Sequence, residues 1–296
     1  MSLSNQIKTA LPPVMVVTAA NARVLPARVT CASLATFAAV TLAAVTLAEG
    51  TAHATPKELP FTYPYQTLAK GELEVEQYMD VSPVRASTSD GAKAWVLPPA
   101  FQTEFEYGIT NRLELALYVA YAPSVGGYSD VPSLGDTGIR QRLRYRFADQ
   151  DVLPVDIAVY GEVSELSDNI ELEGKLILGK QLGDFHLMAN LVTSRIVAYQ
   201  GPSAWEISPS AGVSYQVNPT FHPGLEYWNK TEWPDQGERD FDAGPHHYAG
   251  PVMMLNFGKL WWSTGVYARM SDPHHTLEPG EGFGRLYGRT IVGLSL

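Results

Sequence analysis

At 296 residues the chain has room for one large domain or two small ones, and its 45% hydrophobic and 18% charged content excludes a disordered chain. The net charge of −10 argues against nucleic acid as a partner. Mean hydropathy near neutral argues against a bundle of membrane helices, but not against a membrane barrel, whose strands give only alternate residues to lipid.

The first segment differs from the rest. No charge occurs from Val29 to Ala48; Arg23 and Arg28 precede this run and Ala52-His53-Ala54 follows it. A basic flank, an apolar centre and a small-residue exit are the parts of a secretory signal peptide, expected over residues 1–54, with an N-terminal membrane anchor as the competing reading. Residues 55–296 then form a mature chain of 242 residues with 18 basic and 30 acidic side chains, a net charge of −12. Cys31, the only cysteine, lies in the expected signal, so neither a disulfide nor a cysteine-ligated metal is expected in what remains.

Residues 55–69, TPKELPFTYPYQTLA, carry three prolines and no period, and read as a periplasmic leader. From residue 70 onward a period of two takes over. Leu73, Val75 and Met79 alternate with Glu72, Glu74, Glu76 and Tyr78; Phe101, Phe105 and Tyr107 alternate with Gln102, Glu104 and Glu106. Leu113, Leu115, Leu117, Val119 and Tyr121 alternate with Arg112, Glu114 and Ala116. Next comes IRQRLRYRF, residues 139–147, with Arg140, Arg142, Arg144 and Arg146 on one parity. Val155, Ile157 and Val159 follow against Asp156 and Glu162, and then Ile170, Leu172, Leu176 and Leu178 against Glu171, Glu173 and Lys175. Further alternating runs cover 185–196, 205–217, 221–231, 248–257, 260–270 and 285–296. Sustained alternation without a helical stripe predicts an all-β protein of about twelve strands of roughly ten residues, the length that crosses a bilayer at a tilt.

The connections alternate too. Those after odd strands include all four long ones, 82–94, 122–133, 234–246 and 271–284; those after even strands are short, such as 108–111 and 258–259. Short turns on one side and long loops on the other are the arrangement of an outer-membrane barrel, and a soluble sandwich has no reason to sort its loops this way. Tyr118, Tyr121, Trp205, Tyr227, Trp228, Trp261 and Trp262 stand near strand ends, as an interfacial girdle requires. The fold expected is a transmembrane antiparallel up-and-down β-barrel over residues 70–296, in the outer membrane of a Gram-negative bacterium. Pro223 and Pro251 are expected to mark bulges.

Four segments carry a resemblance: TEFEYGITNRLELALY (103–118), LEGKLILGKQLGDFHLMANLV (172–192), PGLEYWNK (223–230) and YAGPVMMLNFGKLWW (248–262). They resemble a family of Gram-negative outer-membrane proteins labelled as MetA-pathway of phenol degradation proteins. The resemblance implies an outer-membrane barrel with a transport role and no catalytic motif.

With apolar residues toward lipid, the lumen receives the charges. Arg140, Arg142, Arg144 and Arg146 are expected beside Glu114 on the strand before and Asp156 and Glu162 on the strand after; Glu72, Glu74 and Glu76 beside Glu104 and Glu106, and, on closure, beside Arg285 and Arg289 of the last strand. Two readings of this lining stay open: a channel for a small solute, aromatic or hydrophobic if the resemblance is informative, or a structural barrel closed by its own charges. No cofactor is expected. The partners expected are outer-membrane lipid and a small-molecule solute. His246, His247, His274 and His275 share one end of the barrel with Asp240, Asp242 and Asp272 and are weak candidates for a transition-metal site. His186, Asn190 and Ser194 share one parity and would be required by a lipid hydrolase. Their spacing of roughly 13 Å along a strand keeps them from forming a triad alone, so no enzyme is expected.

Overall fold

A computed structural model describes residues 55–296; the expected signal peptide, 1–54, lies outside the described residues. Sixteen strands follow in chain order: β1 (Leu73–Val81), β2 (Val84–Thr88), β3 (Lys93–Val96), β4 (Pro99–Gly108), β5 (Leu113–Tyr121), β6 (Tyr128–Ser129), β7 (Gly138–Arg146), β8 (Asp156–Leu166), β9 (Asn169–Leu182), β10 (Phe185–Ala198), β11 (Ala204–Ile207), β12 (Ser210–Tyr215), β13 (Phe221–Pro234), β14 (His246–Asn256), β15 (Leu260–Arg269) and β16 (Leu286–Ser295).

β1, β4, β5 and β7 to β16 pair antiparallel in one sheet that closes on itself, β1 against β16 and β9 against β10. β11 and β12 are one barrel strand: both pair with β10 and β13 in the same register, interrupted only at Ser208-Pro209, where proline has no N–H for the ladder. The barrel therefore has twelve strands. Pro223 and Pro251 cause no slip of register, since Pro223 opposes Met253 and Leu225 opposes Pro251 in one continuous ladder.

Closure satisfies every strand edge, which a chain crossing lipid requires. Leu115, Leu117, Val119, Leu143, Val163, Leu172, Leu191 and Val266 face outward and are exposed, while the residues between them point in. Trp205, Trp233, Tyr121 and Tyr199 stand outward near the long-loop end, and Tyr107, Tyr145, Phe185, Phe257 and Trp262 near the short-turn end. Two belts of amphipathic rings suit the two membrane interfaces. Tyr118, Trp228 and Trp261, expected in the girdle, are buried inside the lumen instead. Their parity is that of the charged residues, and proximity to a strand end does not decide which way a side chain points.

At the long-loop end the 82–98 connection folds into the β2–β3 hairpin, to which β6 adds a third strand. Val84, Ala86, Val96 and Leu277 form its buried core, joined by Val131, Leu134 and Phe241 from other long loops. The loops thus make a small hydrophobic cluster of their own over one side of the mouth.

Residues 55–69 depart most from expectation. They form no strand, yet they do not extend away as a leader: Lys57, Leu59, Thr62, Tyr65 and Leu68 are all buried. The segment enters the lumen at the short-turn end, rises to Phe61–Tyr63 at mid-barrel, and returns to Ala69, beside the β4–β5 turn, before β1 begins. It is a plug.

Candidate functional site

The plug is held by side chains of the wall rather than by strand pairing. The backbone N–H groups of Phe61 and Thr62 both donate to Glu226 Oε1, at 2.9 and 2.6 Å. Asn190 acts as a substitute strand for Tyr63, accepting from its N–H at 2.6 Å and donating to its carbonyl at 3.0 Å. Leu68 N–H donates to Glu114 Oε2 at 2.8 Å. A buried segment without regular structure must find partners for its backbone polar groups, and these inward polar side chains supply them.

The charges meet in one buried network. β1 and β4 place Glu74 directly opposite Glu106 and Glu76 opposite Glu104, an arrangement that is repulsive by itself. Lys57 of the plug resolves it: its Nζ contacts Glu76, lies 3.0 Å from Glu104 and 3.1 Å from Glu106, and donates to Tyr78 Oη at 2.5 Å. Burial alone disfavours the Lys57 ammonium, and the contacts to Glu76, Glu104 and Glu106 are what offset that cost. From the other side Arg142 reaches Glu104 and Glu114, each at 2.6 Å, and Glu106, while its Nε donates to Tyr118 Oη at 2.6 Å. Arg144 lies 2.9 Å from Glu114 and donates to the plug carbonyl of Pro64 at 3.4 Å. Three cations, Lys57, Arg142 and Arg144, therefore face four carboxylates, Glu76, Glu104, Glu106 and Glu114, and all seven side chains are buried.

Of the remaining predicted lumen residues, Glu74 borders this network, one of its carboxylate oxygens lying within 4.8 Å of those of Glu76 and Glu106, and the others are dispersed. Glu74 accepts from Trp261 Nε1 at 2.8 Å, Ser295 Oγ at 2.6 Å and Thr55 N–H at 3.2 Å. Glu162 takes hydrogen bonds from Tyr160 and Ser164 and lies 3.4 Å from Arg140. Arg146 donates to Thr67 and the Asn111 carbonyl near the short-turn rim, and Asp156 accepts from Asp151 N–H there. Glu72 lies before β1 and accepts from Ala69 N–H. Arg289 grips Asp80 at 2.7 and 2.6 Å and lies 3.8 Å from the centre of the Phe61 ring, a cation–π contact with the plug apex. Arg285 is not in the lumen: it precedes β16, is exposed among the long loops, and reaches the His275 carbonyl at 3.5 Å.

Cavities lie on both sides of the plug. Toward the long loops a vestibule of about 730 Å³ is lined by Phe61, Tyr78, Asp80, Trp228, Tyr287 and Arg289 at its floor, with Asp136, Glu232, Glu238, Asp240 and Asp242 toward its rim. It continues into a space of about 250 Å³ beside Tyr63, Tyr118, Tyr160 and Lys175, the two sharing Phe61, Trp228 and Arg289 as lining. A separate cavity of about 360 Å³ opens under the plug at the short-turn end, between residues 55–69 and Gly179, His186 and Met188. The plug apex is aromatic: Phe61 stacks on Trp228 at 4.4 Å, and Trp228 stacks on Tyr248 at 4.3 Å.

The histidines sort differently from expectation. His246 stacks on Phe283 at 4.0 Å, and His275 on Phe241 at 3.9 Å with Nε2 2.9 Å from Glu281. His247 hydrogen-bonds Tyr227 Oη at 2.7 Å and His274 is exposed, so the four do not converge as a metal set. His186, Asn190 and Ser194 line the inner face of β10, where His186 and Asn190 hold the plug. Arg195, on the same strand, makes a two-pronged pair with Asp235 of a long loop, at 2.8 and 2.5 Å.

No protein-family model matches this chain, and no curated protein sequence matches it. Among solved structures, the chain resembles an outer membrane channel from Pseudomonas putida F1, at a TM-score of 0.56 and 12% identity, covering 78% of this chain and 98% of that one. Two further structures, the NanC porin (TM-score 0.49, 9% identity, 76% of this chain and 100% of that one) and the KdgM porin (0.46, 11%, 75% and 97%), match more loosely. At 12% identity the likeness to the first of these is one of fold: the chain shares its closed antiparallel β-barrel.

Proposed function

We propose that the protein is an outer-membrane channel for a small solute, with residues 55–69 as its constriction. One observation carries this reading: hollow spaces approach the plug from both mouths, with Phe61 and Tyr63 lining those on the long-loop side and Thr55, Glu58 and Tyr65 lining the one on the short-turn side. The plug is irregular and side-chain-tethered, a construction that shifts at lower cost than a strand of the wall. The floor of the vestibule combines stacked aromatic rings with the Arg289–Asp80 pair, which suits a solute with a flat apolar body and a polar group. The resemblance to the phenol-degradation family supports an aromatic solute.

A second reading has an observation of its own: the Lys57–Arg142–Arg144 network is buried and ion-paired across the lumen, as a structural barrel with a permanently filled lumen requires. Conductance in a planar bilayer separates the two. The full chain is compared with a variant carrying Lys57→Ala, Phe61→Ala and Tyr63→Ala, folding being checked by heat-modifiable gel migration. The channel reading expects small steps from the wild type and severalfold larger ones from the variant. Silence from both folded proteins would sink it and leave the closed barrel.

A further inference from the structure

Under the plug, where the 360 Å³ cavity opens toward the short-turn mouth, three ligating side chains converge from three parts of the chain. Glu58 comes from the plug, His186 from the start of β10 and His222 from the start of β13. Their ligand atoms all lie within 4.8 Å of one another. His186 Nδ1 is 2.7 Å from Glu58 Oε1, and His222 Nδ1 is 3.2 Å from the same oxygen. Ser214 of β12, directly opposite His186 in the sheet, donates to the other carboxylate oxygen and fixes its orientation.

A simple ion pair leaves part of this arrangement unexplained. One histidine suffices to pair Glu58, yet a second is aimed at the same oxygen. His222 is only 5% exposed; its Nδ1 approaches Glu58 Oε1 without hydrogen-bond alignment, and its Nε2, like that of His186, has no hydrogen-bond partner among the described residues. A buried imidazole nitrogen held against a carboxylate oxygen without an aligned hydrogen bond is costly, and a cation bound between the two removes that cost by taking the Nδ1 lone pair. Tetrahedral zinc, with bonds of 2.0–2.2 Å to nitrogen and oxygen, sets its ligand atoms about 3.3 Å apart, so the two spacings to Glu58 Oε1, 2.7 and 3.2 Å, open by tenths of an ångström, while the two histidine nitrogens stay within the 4.8 Å that already encloses all three ligand atoms. Two imidazoles and one carboxylate suit a borderline divalent ion, and the adjoining cavity leaves room for a water as fourth ligand. Ser214 takes the place of the outer hydrogen bond that orients a ligating carboxylate.

We propose that Glu58, His186 and His222 form a site for a divalent transition-metal ion, Zn²⁺ serving as the probe, and that the bound ion staples the plug to the barrel wall. The four histidines at the long-loop end take no part. The site does not depend on solute passage, and its test reads metal directly.

The full chain, purified without a polyhistidine tag and stripped with chelator, is titrated with Zn²⁺ against a chromogenic competitor. The expected result is one zinc per folded chain. Glu58→Gln, which leaves the wall untouched, abolishes that uptake, as does His222→Ala. Ser214→Ala weakens it about 10–100-fold, and His274→Ala with His275→Ala leaves it unchanged. No uptake by folded wild type, or uptake unaffected by Glu58→Gln, overturns the site. Amide exchange of residues 55–69 is read with and without zinc: slowing supports the staple, and no change in a zinc-loaded protein overturns that part of the proposal.

Discussion

Arg142 shows how much one side chain carries here. Its guanidinium touches three carboxylates and a tyrosine hydroxyl, all of them buried. Removing one partner of a buried ionic network leaves the other charges unpaired, which costs about 3–5 kcal/mol, more than the network contributes relative to an apolar replacement. Arg142→Gln is therefore expected to lower the urea midpoint of the refolded barrel in micelles by an amount of that order. Adding Glu104→Gln to it recovers part of the loss, because Lys57 keeps Glu76 and Glu106 and Arg144 keeps Glu114. If Arg142→Gln leaves the midpoint unchanged, the network is not paired in the way described. The arginine parity was legible in the sequence, but its partner on the plug was not. The signal for that partner was present: Glu74, Glu76, Glu104 and Glu106 fall opposite one another across β1 and β4, and such a pairing calls for a cation. Lys57, in a stretch with no period, gave periodicity nothing to read.

Among the elements, the strands could be read from the sequence because lipid on one side and polar groups on the other impose strict alternation, and because closed barrels sort their turns. The plug could not, because an irregular segment is positioned by contacts distant in sequence. Its imprint is found in the wall, where glycines make room for it. A Cβ on Gly179 of β9 would stand 2.7 Å from the ring of Tyr65, and one on Gly212 of β12 would stand 2.7 Å from Leu59 Cδ1. Gly179→Val keeps a residue suited to a strand yet occupies the space of the ring, so it is expected to displace the returning arm of the plug and raise single-channel conductance. A folded Gly179→Val barrel with wild-type conductance would show that this arm does not limit passage.

At the level of the whole molecule, charge is layered. The vestibule rim carries Asp136, Glu232, Glu238, Asp240 and Asp242, against Arg140, Lys230 and Arg289 deeper in, each of which already faces a carboxylate. An acidic mouth favours cations in transit. Burial, together with nearby Asp240, Glu281 and Glu232, raises the Asp242 pKa above that of an ordinary aspartate, against the opposing hydrogen bond from Gly282 N–H. Because the protonated form is neutral, the mouth loses this negative charge as pH falls through the raised pKa and regains it as pH rises. Reversal potentials in a salt gradient are expected to show cation preference weakening earlier on acidification than ordinary aspartates would allow. Asp242→Asn should remove that early step; a step that persists in the variant belongs to another group. The closed fold was legible at this level, whereas the loop cluster around Val84 and Leu277 was not, since it joins segments that alternation does not describe.

The plug enters and leaves by one mouth, and no strand of the wall passes between its arms. Topologically it is a slip loop rather than a thread: it can be drawn out of a finished cylinder, or returned to it, without unpairing a single strand. Barrel closure and plug seating are thus separable events, and a change of occupancy need never endanger the seal of the membrane around it.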